Sequence, residues 1–505
     1  MSRVPKTMAI ITVALVVCAV FIVGSILVIL SMRSEELPPL LGTYGYNDTS
    51  NKTINEGDRT ENGFGSEIAD NAIGQQNVNG QNNTVNEDGT QLPELPNLPA
   101  TARLAFVGDI MVHRWQLDAA RVAPGHYDFN YKFRYIAPYI QAADFAIGNL
   151  ETTLVRGWYS CFPLFRTPRT LADALVNAGF DMVTTGNNHT FDAGVEGVRS
   201  TVEFLTEAGL AFTGTYLTPE CRDNITLVEV NGFTFAMINY TMHMNGINMG
   251  AYDFMVRIIY HDLIDQSVID YEMIAESIAR ARALNPDFVV VLPHIGIEYY
   301  GTGRRQWGPG GHQWDTFNRF DSRWFNWMRT IHFFLESGAD IVMSHHPHTL
   351  LPAEFVYITE ADGTIRRTFV AYSMANFISG QRTLPRETSA IFYLDFARDE
   401  NGVAYISGAY HVPVWVRMRN PLRPGEYCFT VLPVTSTLRR VAEGDRADLR
   451  DVDIDRIRQV QLEVTHMLSG APIPVEEKRD IYEITRYRNI TQFPGLPLWG
   501  TLPWY

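Results

Sequence analysis

The chain has 505 residues, enough for one large catalytic domain with extensions or for two domains, and its 46% hydrophobic and 12% aromatic content supplies ample core material. A formal net charge of −15 argues against the basic face that a nucleic-acid binder normally presents, so no nucleic-acid partner is expected. It leaves small anions open as ligands, because a bound metal inverts the field around it.

The first element is apolar. "MAIITVALVVCAVFIVGSILVIL", Met8 to Leu30, carries no charged residue and is long enough to cross a bilayer as a helix. Arg3 and Lys6 precede it, and Glu35 and Glu36 follow, so the short tail is expected in the cytoplasm and the main body outside the cell. The run is long for a cleaved signal peptide, and no small-x-small site follows it. "LVVC" at Leu15–Cys18 hints at a lipoprotein signal, but Val17 stands where a small residue belongs. The expectation is a retained signal anchor, with residues 1–33 forming a tail and a single pass through the cell membrane. Cysteines add little: Cys18 falls in the span, while Cys161, Cys221 and Cys428 form no CxxC pair and at most one disulfide.

Residues 34–100 change character. "NDTSNKTINEGDRTENG" and "NGQNNTVNEDGTQLPELPNLPA" are poor in large apolar side chains and cannot bury enough surface to offset their ordering entropy. They read as a disordered tether. The ordered body starts near Thr101.

From there, short β-branched or aromatic runs alternate with amphipathic helical patterns. The strand candidates are "RLAFVGD", "DFAIGNLE", "DMVTTGNNH", "FTFAMINYT", "DFVVVLPHIG", "ADIVMSHHPH" and "TFVAYSMANF". "TLADALVNAG" and "VRSTVEFLTEAG" are helices closing on a Gly suited to a C-cap. This alternation predicts an α/β body of layered sheet and helices. "SAIFYLDFA" and "VAYISGAYHV" are joined through the hairpin-like "RDENG", and "DVDIDRIRQVQLEVTHMLSG" is a late helix. The body is assigned to residues 101–417 and a C-terminal extension to 418–505.

Several strand candidates end in residues that bind metals or move protons: Asp109, Glu151, Asn188 with His189, His294, and His346 with His348. In open α/β sheets, sites form where the carboxyl ends of strands converge. Each element alone has a plain reading: a turn after "GD", a solvated carboxylate in "NLE", an Asn-rich turn in "GNNH", a core histidine in "PHIG". Their recurrence at successive strand ends points to a metal site. Carboxylate, amide oxygen and imidazole together suit Mn, Fe or Zn.

"VGDIM", "GNLETTL", "TGNNHTFDAG", "PHIGIEY", "SHHPH" and "YSMANFISGQ" resemble, in order, the signatures of CapA-type capsule synthesis proteins. That family is associated with poly-γ-glutamate capsule biosynthesis and belongs to the calcineurin-like metallophosphoesterase superfamily. The resemblance runs from about Leu104 to Gln381 and implies a four-layer α/β/β/α sandwich with its site at one edge of the two sheets. It implies Asp109 and Glu151 as carboxylate ligands, Glu151 being the bridge. Asn188, His294 and His346 would complete one ion, and His348 would serve the other, giving one tight and one weak divalent site. His189 would donate a proton or steady an oxyanion, with Asp192 holding its tautomer. Asn376 lies in a family motif without an assigned role, and His345 is expected to support a ligand or to be exposed.

Some positions depart from the pattern. The superfamily's Asp-x-His is Asp109-Ile110-Met111, the Gly before the histidines is Ser344, and the usual His-Trp-Gly is His294-Ile295-Gly296. Residues 301–325 form an apparent insertion, where Arg304, Arg305, Trp307 and Trp314 could make a lip for an anionic polymer or belong to a variable surface loop. The leading expectation is a membrane-anchored extracellular protein of capsule or envelope polymer production, a metal-dependent hydrolase or transferase if active. Its implied partners are the membrane, an anionic polymer such as poly-γ-glutamate, and membrane synthesis or export subunits. The alternatives are a non-enzymatic subunit of such a complex and an extracellular phosphodiesterase unrelated to capsule.

Overall fold

A computed structural model of the chain describes residues 101–260, 269–299, 322–360, 362–381, 385–420, 425–446, 449–474 and 480–491. The expected membrane span and tether, and Arg304, Arg305, Trp307 and Trp314, lie outside the described residues. Among the described residues no helix is long and apolar enough to cross a membrane.

In chain order, β1 (Thr101–Ile110), β2 (Phe145–Leu150), β3 (Met182–Thr184) and β4 (Ala211–Thr213) come first, with α1 (Thr170–Ala178) and α2 (Gly194–Ala208) between them. Next come β5 (Thr226–Val230), β6 (Phe233–Thr241), β7 (Phe288–His294), β8 (Ile341–Met343), β9 (Ala353–Thr359) and β10 (Ile365–Ala371). Helix α3 (Tyr271–Ala283) precedes β7, and α4 (Ser322–Glu336) precedes β8. The chain continues with β11 (Asn376–Ile378), β12 (Thr388–Arg398), β13 (Ala404–Arg419) and β14 (Tyr427–Pro433). It then forms α5 (Val434–Ala442), α6 (Asp451–Ser469), β15 (Tyr482–Glu483) and β16 (Tyr487–Thr491).

These strands make two sheets. The nine-stranded one runs β14-β13-β12-β1-β2-β3-β4, with β11 beside β1 and β15 beside β13. The seven-stranded one runs β16-β9-β10-β8-β7-β6-β5. Residues after 417, set apart by the sequence, thus complete both sheets: β14 and β15 join the first and β16 pairs with β9 in the second.

Side-chain alternation explains the layering, because successive residues of a strand face opposite sides. Leu104 and Phe106 of β1 meet Phe235 and Met237 of β6 and Val290 and Leu292 of β7 in one buried cluster between the sheets. Ala105 and Val107 instead face Leu171 and Leu175 of α1 and Leu205 of α2. On the other sheet, Val289 and Val291 face Ile278 of α3 and Ile331 and Phe334 of α4. Each fully buried Leu or Phe contributes about 1.5–3 kcal/mol of hydrophobic stabilisation, so the two-faced strands anchor both layers. Helices α1 and α2 stop at Gly179 and Gly209, which take φ 97° and 74°, the left-handed caps that glycine adopts without strain. Cys161 and Cys428 are free thiols.

The arrangement that matters for function is parallel pairing. β1, β2, β3 and β4 run parallel in one sheet, and β6, β7, β8 and β10 in the other. Their carboxyl ends deliver Asp109, Glu151, Asn188, His294 and the 345–348 histidines to one place.

Candidate metal centre

Asp109 reaches the site through a break in the β1 ladder. The register with β2 shifts between Val107 and Asp109, an irregularity of the kind that re-aims a side chain. Gly108 makes the bend possible, since a Cβ there would stand 1.9 Å from the Ala375 carbonyl oxygen. Asp109 Oδ2 lies 2.9 Å from His348 Nδ1, and its Oδ1 accepts a 2.8 Å bond from Asn149 Nδ2. The same Asn149 nitrogen sits 3.1 Å from His294 Nδ1, while its oxygen accepts from Thr184 Oγ1 at 3.0 Å. Asn149 therefore ties the two sheets' site residues together.

A second group forms around His294. Its Nε2 is 2.9 Å from Asn188 Oδ1 and 3.1 Å from His346 Nδ1. Ligand atoms sharing one ion at about 2.1 Å stand about 3 Å apart, so this spacing suits common coordination. His346 and His348 carry φ values of 97° and 58°, the left-handed region that non-glycine residues enter only when the surroundings over-determine them. Asn376, paired in register with Asp109, helps fix that loop: its Nδ2 donates to the His348 carbonyl at 3.4 Å and to the Arg386 carbonyl at 3.0 Å.

Glu151 lies between the groups. Its Oε1 is 3.6 Å from His294 Nε2, 3.9 Å from His348 Nε2 and 4.0 Å from His189 Nε2. It is fully buried, and neither oxygen has a hydrogen-bond partner. Burial, then the Asp109 charge, pushes its carboxyl well above the usual carboxylate range. Burial, then neighbouring imidazoles, holds His294 and His346 well below the usual imidazole range, leaving lone pairs free. An orphaned buried carboxylate among neutral imidazoles fits a divalent cation, whose charge would repay the desolvation. Ligand atoms of Asp109, Glu151 and His348 lie within 4.8 Å of one another, so the group expected to hold the weaker ion is itself a compact candidate site.

His189 and Asp192 form a separate pair at the edge. His189 Nδ1 is 2.7 Å from Asp192 Oδ2, which also accepts the Phe165 N–H at 2.6 Å. The Nε2 is thereby turned toward Glu151. His345, by contrast, is buried rather than exposed; its N–H donates to the Pro293 carbonyl and its ring stacks 6.3 Å from His294.

Several participants lie outside the ligand set expected from the strand-end motifs. Asn149 sits inside the quoted "GNLE", two residues before Glu151 on the same strand face, a signal that period-2 alternation carries. Arg386 places its guanidinium 3.5 Å from the Tyr299 ring centroid, and Tyr299 is tilted against His348 at 5.7 Å, so a cation stands beside the site. No local motif marks that residue.

A family model, "Bacterial capsule synthesis protein PGA_cap", matches residues 103–305 and 326–381. The break at 306–325 falls inside the segment read as an insertion. "PGA biosynthesis protein CapA" of Bacillus subtilis (strain 168) is 27% identical over 295 residues, covering 57% of this chain and 66% of that protein. "Capsule biosynthesis protein CapA" of Bacillus anthracis is 23% identical over 312 residues, covering 60% of this chain and 65% of that protein. The chain therefore spans just under two thirds of the length of these curated relatives. A solved structure, a hypothetical protein from Thermus thermophilus, aligns with TM-score 0.32 and 14% identity over 62% of this chain and 99% of that one, a likeness too low to carry an argument. The family match covers half of the chain, with every strand end of the site inside it: the chain belongs to the bacterial capsule synthesis protein PGA_cap family.

Proposed function

We propose that this chain is a membrane-anchored extracellular component of capsule or envelope polymer production whose site performs metal-dependent hydrolysis or transfer. The observation that carries the reading is Glu151, a fully buried carboxylate with no partner between two sets of metal-type ligands. Asp109, Glu151 and His348 would hold one divalent ion of the Mn, Fe or Zn class, and Glu151, Asn188, His294 and His346 a second. When bound, such an ion supplies Lewis acidity to an oxyanion. The chain supplies the rest. Asp192 takes the Nδ1 side of His189, leaving Nε2 to carry a proton to or from a reacting oxygen beside Glu151. Burial of the ligand set excludes water and strengthens each interaction there.

The capsule assignment follows the names of the relatives, and the anchor follows Met8–Leu30. Turnover of a phosphodiester probe with added Mn tests the chemistry. Rate should fall about 10²–10⁴-fold in His189→Ala with metal content unchanged. Polymer binding with no turnover in the unmodified protein would instead favour the non-enzymatic subunit.

A further inference from the structure

Two histidines outside the expected set stand at the same site. His113 heads the short helix Arg114–Ala120 after β1, and its Nδ1 accepts the Gly380 N–H at 3.1 Å. Its ring meets Phe165 edge-on at 5.0 Å, and Phe165 in turn meets His189 at 4.7 Å. His243 follows β6; its Nδ1 accepts the Asn245 N–H at 3.3 Å, and its ring stands 5.5 Å from His346. Both rings are half-buried.

The hydrogen bonds fix what these rings can do. A neutral imidazole whose Nδ1 accepts an N–H carries its proton on Nε2. Ligation of a cation through Nε2 would need the proton on Nδ1, where it would face a backbone N–H. These rings are therefore donors, not metal ligands. Burial lowers the pKa of both, His113 to about 4, and each feels the His189 imidazole. Beyond the Gly380 and Asn245 N–H groups, and the Gln116 side chain beside the His113 ring, no described residue hydrogen-bonds either ring, and both residues keep part of their surface in solvent. The carboxylate facing His243, on Glu298, is exposed.

The supports are built closely. A Cβ on Gly380 would stand 2.4 Å from His113 Cβ and 2.9 Å from its Cγ, so only glycine lets the backbone reach the ring. Asn245, at φ 50°, uses its N–H on His243 and its Oδ1 to accept from Asn188 Nδ2 at 3.2 Å. One turn thus orients both an expected ligand and the donor beside it.

We propose that His113 and His243 are the outer donors of an oxyanion-binding site, their Nε2–H groups taking the non-reacting oxygens of a phosphoryl-type group whose reacting end lies toward Glu151 and His189. This rests on the metal-centre reading above. Donors arriving from separate loops match a tetrahedral anion with several oxygens better than a planar carboxylate with two.

The test uses the full-length chain in detergent, saturated with Mn, with inorganic phosphate titrated by calorimetry in one arm and acetate in another. His113→Phe and His243→Phe should each weaken phosphate about 10-fold, the loss of one hydrogen bond to a charged group. His113→Gln and His243→Gln, which keep an N–H, should stay within about threefold. Gly380→Ala should behave like His113→Phe although the imidazole remains. Metal content should be unchanged throughout, and acetate should bind more weakly and respond less. Unaltered phosphate affinity in both Phe variants would overturn the proposal, as would loss of metal in them or an acetate response as large as that of phosphate. A wild type that retains no metal overturns the metal reading alone: phosphate binding lost in both Phe variants of that protein still supports the histidine pair, and retained binding rejects it.

Discussion

Exchanging Glu151 for glutamine separates what the carboxylate costs the fold from what it gives the site. Three imidazole nitrogens stand 3.6–4.0 Å from its carboxylate, beyond hydrogen-bond range, the Asp109 carboxylate lies beside it, and both oxygens are sealed from water. Leaving a buried polar group unsatisfied costs about 1–3 kcal/mol, and more when it is charged. Because burial and Asp109 hold this carboxyl well above its ordinary range, folding near neutral pH costs either a buried charge or a bound proton; Glu151→Gln removes both and keeps the shape. In chelator, the variant should therefore be more stable than the wild type by about 1–3 kcal/mol. Added metal at 100 times its dissociation constant should stabilise the wild type by about 2.7 kcal/mol and the variant far less, cancelling or reversing the order. Denaturant unfolding followed by tryptophan fluorescence, in EDTA and then in Mn, reads both differences. The reasoning is refuted if the variant is the less stable protein in EDTA, or if Mn stabilises both equally.

Gly108→Ala should destabilise the fold by about 1–3 kcal/mol or more, because its Cβ would collide with the Ala375 carbonyl; the same variant should lose metal as the Asp109 bend is forced out, read by unfolding and elemental analysis in parallel. Lys132 is buried against Phe129, Tyr131 and Phe429, its Nζ near the Tyr131 hydroxyl and the Cys428 carbonyl, and burial pushes its pKa down to about 7. Between about pH 7 and the free value of 10.5 the unfolded chain binds more protons, so this residue's contribution makes stability rise with pH across that window. Lys132→Met should accordingly be more stable than the wild type at and below pH 7, with the advantage shrinking toward pH 10 in urea titrations.

Much of this site is legible in the sequence because parallel strands end in it. Asp109, Glu151, Asn188, His294, His346 and His348 each follow an apolar run, and the periodicity that defines the run also locates its end. Asn149 is harder to see because its role is to join other site residues: it bonds Asp109 and approaches His294, 145 positions away in the chain. His113 and His243 lie in loops, where placement depends on Gly380 and on the Asn245 turn rather than on local pattern. The strands after residue 417 escape for another reason. β15 has two residues and β16 pairs with β9, more than a hundred positions earlier, so nothing local announces which sheet they extend. The run Met8–Leu30 is legible from hydropathy alone and lies outside the described residues.

The central claim is that Glu151 joins two ligand groups around divalent metal. Anomalous diffraction from crystals grown with Mn, recorded near the Mn edge, tests it most directly. The account predicts density within coordination distance of Glu151, on the side of Asp109 and His348, on the side of Asn188, His294 and His346, or on both. Anomalous density only elsewhere on the chain, or none at Glu151 under saturating Mn, would contradict it.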